Sequence, residues 1–276
     1  MTKPKPSKDI ADLLAIMRAL RDPQSGCPWD KVQTFATVAP FTIEEAYEVA
    51  SAIEENNPEH LREELGDLLF QAVFHARIAE ELGLFDFGDV VEAATSKMIA
   101  RHPHVFGNVE KPESAAEQTE AWEALKRRER NAKNMSVLDD VPVALPALSR
   151  AVKLQKRAAR VGFDWKNAAK VLDKIIEEAG ELVEAQSEEE NQAHVEEEFG
   201  DLLFVVANLA RHLKIDPEQA LRSANAKFIR RFNSIERGLK AAGKTPADSS
   251  LEEMEALWQE AKKDERNAPT NTQLKK

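Results

Sequence analysis

The strongest constraint on the fold of this chain is that it repeats itself. Glu44-Glu45-Ala-Tyr-Glu48 and Glu64-Leu-Gly-Asp67-Leu-Leu-Phe70 occur in the first half. They return as Glu177-Glu178-Ala-Gly-Glu181 and Glu198-Phe-Gly-Asp201-Leu-Leu-Phe204. The offset is 133 residues from Glu44 to Glu177, 134 from Asp67 to Asp201 and 136 from Trp122 to Trp258. An offset this constant marks an internal duplication, folded either as two separate units or as one pseudo-symmetric bundle.

Each copy reads as helix throughout. Ile10, Leu13, Leu14, Met17 and Leu20 recur at helical spacing, and Arg21-Asp22-Pro23 stops that segment. Thr42 suits an N-cap, with Glu45 three residues on, so the first acid-bearing helix is expected from about Thr42 to Asn56. A third helix from about Glu59 is expected to bury Leu61, Leu65, Leu68, Leu69, Ala72 and Val73. Further helices are expected over residues 89–101 and around Trp122, with a loop at His102-Pro-His104. Gly66 and Gly200 lie inside strong helix patterns, where each costs up to about 1 kcal/mol relative to alanine. Close helix approach would explain them. Pro142 and Pro146 punctuate a stretch without helical period. The predicted organisation is therefore a helical domain over 1–133, a linker over 134–146, a second helical domain over 147–268 and a disordered tail over 269–276. No stretch has strand character, so the fold class is all-α.

Composition narrows the partners. The 276 residues carry a net charge of −11, which argues against a nucleic-acid duplex or an anionic membrane as the main partner. No segment approaches 18 uninterrupted apolar residues, and the single cysteine, Cys27, excludes an internal disulfide framework. A cytoplasmic location is expected. An acidic protein can still bind an acidic nucleotide if cations bridge the two.

The acid spacing supplies that possibility. On a helix, positions three and four apart share a face, so Glu178 points with Glu181 and Glu198 with Asp201. Glu45 with Glu48, and Glu64 with Asp67, repeat the arrangement. Carboxylates brought within a few ångströms repel by roughly 4 kcal/mol per close pair at an effective dielectric near 20. Protonation, basic partners or a bound cation must offset this, and all-oxygen ligands favour Mg²⁺ first and Mn²⁺ second. A solvated acidic face is the ordinary explanation of one such cluster; its recurrence beside an apolar stripe in both halves favours a site. A di-iron centre would want Glu-x-x-His, whereas Asp67 and Asp201 stand at that spacing. His102 and His104 flank a proline and read as structural rather than as a metal pair.

At these residues the chain resembles the MazG nucleoside triphosphate pyrophosphohydrolases in their two-copy bacterial form. The strings that carry the likeness are Cys27-Pro-Trp-Asp-Lys, Thr42-Ile-Glu-Glu-Ala-Tyr-Glu48, Glu64-Leu-Gly-Asp-Leu-Leu-Phe70, Arg101-His-Pro-His-Val-Phe106 and Asn208-Leu-Ala-Arg-His212. The resemblance implies Mg²⁺-dependent hydrolysis of nucleoside triphosphates, ATP among them, to the monophosphate and diphosphate. It also implies a homodimer, a role in cleaning the nucleotide pool, and a main catalytic site in the second copy. Glu178, Glu181, Glu198 and Asp201 would then be metal ligands, with Glu177 an outer partner of the metal site or a residue that orients the attacking water. Lys174 would border the nucleotide, Lys227, Arg230 and Arg231 would grip phosphates, and Trp258 and Lys262 would complete the pocket. Asn208 could reach base or sugar. The first copy keeps Glu45, Glu48, Glu64 and Asp67, but Phe74 replaces Asn208, Ala100 replaces Arg230, and Lys97 is displaced by four residues. These departures weigh against catalysis there and leave metal binding open. The competing reading is a non-catalytic helical scaffold or nucleotide sensor.

Overall fold

Helices form every regular element among the described residues of the computed structural model, which are 5–110, 112–132, 134–187 and 191–267. The tail expected over 269–276 lies outside them. The chain divides into two compact units, residues 1–129 and 130–276. No helix is long and apolar enough to cross a membrane among the described residues.

The first unit holds α1 (Ile10–Leu20), α2 (Phe35–Glu54), α3 (Pro58–Glu81), α4 (Phe87–Arg101), the one-turn α5 (Pro103–Phe106) and α6 (Ala115–Ala132). Helices α2 and α3 pack along each other as an antiparallel hairpin, with α1 and α4 against α3. Their shared core is Met17, Val38, Val73, Phe74 and Ile78, flanked by Leu13, Leu14, Phe35, Phe70 and Phe87. Emptying such a core is costly, about 3–5 kcal/mol for a Phe-to-Ala change.

Helix α2 starts seven residues before the expected N-cap. Thr34 caps it, in a reciprocal capping box with Thr37. Pro40 disguises this start, yet so near the amino end it removes a single backbone hydrogen bond. Thr42 sits inside the helix instead, its hydroxyl 2.9 Å from His75 Nε2. Asn57 caps α3 and Pro58 occupies its first turn, so the Asn-Asn-Pro string read as a stop is also a start. His102-Pro-His104 is likewise not all loop, because Pro103 opens α5.

The turn after α1 is a tight fit. Gly26 N–H donates to the Asp22 carbonyl and Cys27 N–H to that of Leu20. A Cβ at Gly26 would meet the Asp22 carbonyl oxygen at 2.5 Å and that of Leu20 closer still. Gly26→Ala should therefore lower the urea midpoint of the first unit by an amount equal to about 1–3 kcal/mol. Arg21, 6% exposed, holds the turn from below. It donates to the carbonyls of Asp30 and Gln33 and forms a two-nitrogen ion pair with Glu81.

The second unit repeats the plan with α7 (Ala147–Ala159), α8 (Ala168–Ser187), α9 (Gln192–His212), α10 (Pro217–Ala241) and α11 (Leu251–Asn267). Helices α8 and α9 form the hairpin, α7 packs on α9, and α10 packs on α11 and α7. Residues 134–146, expected to act as a linker, fold onto this unit. Val141 is buried, and Arg157 donates to the carbonyls of Asp139 and Asp140.

The apolar stripes depart from expectation. Leu65 and Leu69 are exposed, as are Ile43, Tyr47 and Ile53 opposite them, and Ala72 is exposed too. Leu61 and Leu68 are only half-buried, so Val73 is the sole member of the expected set that is fully covered. In the second unit Leu172, Ile176, Val183, Phe199 and Leu203 are also open to solvent. Nothing approaches within 4 Å of a Cβ built on Gly66 or Gly200, so the close approach expected there does not occur within the chain.

Candidate active site

The hairpin of α8 and α9 places the second copy's acids across from one another. Carboxylate oxygens of Glu178, Glu198 and Asp201 all lie within 4.8 Å of one another. Glu178 is buried at 5% exposure, Glu198 half-buried and Asp201 exposed. Lys174, one turn before, puts its Nζ 2.8 Å from both Glu177 Oε1 and Glu178 Oε1. Those two hydrogen bonds, Glu177's first, raise the lysine's affinity for its proton well beyond the ordinary range. His194 Nε2 stands 3.2 Å from Glu198 Oε1, one helical turn away on α9.

Glu181, the fourth expected ligand, is exposed and outside that triad. Its carboxyl is pushed up nevertheless, first by desolvation and then by the like charges of Glu178 and Glu198, which Lys174 partly offsets.

The first copy gathers a different three. Glu45, Glu48 and Glu64 bring oxygens within 4.8 Å of one another, while Asp67 stays outside the group. Phe41 occupies the position of Lys174, and among the described residues no lysine pairs with these acids. Desolvation, then Asp67 and Glu48, push the Glu45 carboxyl up. Gln71, 8% exposed, donates weakly to Glu45 at 3.4 Å, and its Oε1 is buried without a hydrogen-bond partner. His60 repeats the role of His194, with Nε2 2.9 Å from Glu64 Oε1 and Nδ1 2.9 Å from Glu55 Oε2.

Helices α10 and α11 carry a second constellation. Arg231 pairs with Glu265 at 2.7 Å and lies over the Trp258 ring, 5.3 Å from its centroid. Phe228 packs on the same indole at 5.5 Å, and Arg230 reaches Glu265 at 3.7 Å. Lys227 is exposed and Lys262 half-buried. Among the described residues no ion pair or hydrogen bond joins Lys227, Arg230 or Arg231 to Glu178, Glu181, Glu198 or Asp201. A single chain thus holds the acids and the phosphate-gripping candidates on separate helix pairs.

Asn208 is 1% exposed, and its Oδ1 accepts from Arg211 Nε at 3.0 Å and Nη2 at 2.8 Å. Arg211 in turn pairs with Asp164 of the Gly-Phe-Asp-Trp string, which His212 also approaches at 3.2 Å. Desolvation opposes ionisation of Asp164, but Arg211 and His212 outweigh it and hold the carboxyl below its usual range. Asn208 therefore anchors Arg211 from inside the unit rather than presenting an open face to a nucleotide.

Sequence reading passed over three partners. Glu265 lies seven residues from Trp258 and so on the same helix face. His60 and His194 each precede the ExxD glutamate by four residues in both copies, a signal that was available.

Both hairpins fall within stretches of the chain that match a known family. The MazG nucleotide pyrophosphohydrolase domain matches twice, over residues 33–106 and 166–235. The chain belongs to the MazG family. Its relatives include a nucleoside triphosphate pyrophosphohydrolase of Escherichia coli K12, 52% identical over 93% of this chain and 98% of that protein. A MazG nucleoside triphosphate pyrophosphohydrolase/pyrophosphatase of Thermotoga maritima is 43% identical over 91% of this chain and 94% of its own length. A crystal structure of a mazG-related protein from Thermotoga maritima is 30% identical over 42% of this chain and 98% of that chain, with a TM-score of 0.36.

Proposed function

We propose that this chain is a Mg²⁺-dependent nucleoside triphosphate pyrophosphohydrolase, whose second unit converts NTP and water to NMP and diphosphate. The observation that carries this reading is the triad of Glu178, Glu198 and Asp201, three oxygen donors from two helices within 4.8 Å of one another. Such a donor set fits a hard divalent cation, and Lys174 alone is too little positive charge to neutralise three carboxylates. Bound there, the ion would polarise phosphoryl oxygens and offset the charge of the triphosphate.

The chain's own residues account for the rest. Lys174 fixes the orientation of Glu178 and Glu177. Glu181, its carboxyl already pushed up, suits acceptance of a proton from the water that attacks the α-phosphorus. Lys227, Arg230 and Arg231 supply charge for the β- and γ-phosphates, with Arg231 held ready by Glu265. Trp258 and Lys262 border the base. Glu45, Glu48 and Glu64 would hold a second ion, with Asp67 nearby and without a matching phosphate grip.

The exposed apolar faces of α8 and α9 favour a homodimer, in which pairing of copies covers those faces and brings the basic helix to the acids. A role in clearing nucleotides from the cytoplasm follows the same reading. A product-resolved assay across NTPs and dNTPs tests it. Diphosphate with NMP supports it, whereas retained nucleotide binding without turnover over hours would make the protein a sensor.

The raised carboxyls give a signed pH dependence. Glu45 and Glu181 hold their protons more tightly folded than unfolded, so their contribution to stability is present below the ordinary carboxylate range. It is lost as pH rises through their folded values, where a divalent ion takes over. The rise in melting temperature on adding Mg²⁺ should be larger at about pH 7.5 than at about pH 5. A rise that is equal at both would contradict carboxylate ligation.

A trimming test addresses Arg231. Arg231→Lys should raise KM by about tenfold with a smaller change in kcat, because a point charge replaces a fork already aligned by Glu265. Steady-state kinetics with a single NTP checks this.

A further inference from the structure

We propose that the second unit carries a separate binding site for a small oligophosphate, in the cleft between α7 and the α9–α10 turn. The cleft, about 570 Å³, is lined on one side by Lys153 and Lys156 of α7. Arg211 and Lys214 line the other side, at the end of α9. The volume is that of a small-molecule site.

The basic lining sets this cleft apart on a chain with 49 acidic against 38 basic residues. Among the described residues Lys153, Lys156 and Lys214, which line the same concavity, form no ion pair. Lys153 and Lys156 stand on one face of α7, three residues apart. Arg211 is the fixed point of the opposite wall, held by Asn208 and Asp164. The one carboxylate in the lining, Asp216, is committed to capping α10, where it accepts from Gln219 N–H at 3.1 Å. Three unneutralised ammonium groups around an open cleft repel one another, and a ligand with several linked phosphates removes that repulsion.

This site is distinct from the acidic triad. Arg211 lies ten residues beyond Asp201 on α9, roughly 15 Å along the axis at 1.5 Å per residue. No cation is needed to bridge protein and ligand here, in contrast to the carboxylate site. The inference therefore stands whether or not the second unit hydrolyses nucleotides.

That contrast defines the experiment, a calorimetric titration of the full chain with inorganic pyrophosphate in EDTA. The wild type should bind saturably, one pyrophosphate per chain. The double variant Lys153→Glu/Lys156→Glu and the single variant Lys214→Glu, on opposite walls, should each weaken binding by about tenfold or more. Among the described residues these lysines hold no ion pair to lose, and unchanged thermal unfolding will confirm that both variants fold. Glu178→Gln should bind as the wild type does. AMP, with a single phosphate, should bind about tenfold more weakly than pyrophosphate. Absence of saturable binding, full binding by the charge-reversed variants, loss of binding in Glu178→Gln, or equal binding of AMP would each overturn the proposal.

Discussion

Alanine in place of Glu178 or Asp201 is expected to lower diphosphate release by about 1000-fold, while Glu45→Ala lowers it by less than about tenfold. The asymmetry follows from surroundings rather than from the acids. Glu178 is 5% exposed, so its removal leaves Lys174, Glu198 and Asp201 without the buried oxygen on which they converge. Glu45 clusters with Glu48 and Glu64 instead, with Phe41 in the place of Lys174 and Ala100 in that of Arg230. Full turnover by both second-unit variants, in an assay that separates NMP from NDP, would end the assignment. Equal loss in Glu45→Ala would instead make the two copies catalytic equals.

The second large effect concerns assembly. Ile176 is 72% exposed, Val183 62%, Phe199 51% and Leu203 41%, all on the two helices that carry the acids. Replacing Ile176 and Leu203 with aspartate should convert a particle of twice 30.9 kDa into one of 30.9 kDa on light scattering. It should also remove turnover, because the basic helix would no longer meet the acids. Neither residue belongs to a buried cluster of its own unit, so the separated chain should keep its helical circular dichroism. A dimeric, active double variant would show that other surfaces join the copies.

Gly200 gives an independent reading of the same face. With nothing within 4 Å of a Cβ there, Gly200→Ala in an isolated chain should raise stability by about 0.5–1 kcal/mol. A thermal denaturation series over protein concentration separates that gain from any loss at a packed surface.

These positions also mark where sequence stops informing. Helical period and the offset of the repeat can be read directly from the chain, and they placed most helices. The start of α2 escaped because Pro40 imitates a boundary. Periodicity also shows that Leu65, Leu69, Phe199 and Leu203 form a stripe, but not whether the same chain covers it. The acids behaved likewise. Spacing put Glu178 with Glu181 and Glu198 with Asp201, yet side-chain direction decided that Glu181 lies outside one triad and Asp67 outside the other. Asn208 looked polar and available; only packing could reveal that Arg211 occupies it.

Each carboxylate triad is assembled between helices adjacent in the chain, α2 with α3 and α8 with α9, so it depends on contacts of short sequence separation. Low contact order means rapid closure, and such a hairpin can form on the ribosome before the helices that follow it have been synthesised. The metal-binding geometry would then be among the first native features to appear. Agents that loosen α6 or α11 should erode stability while leaving the acid cluster assembled, and hydrogen exchange would find the α8–α9 amides slowest to open.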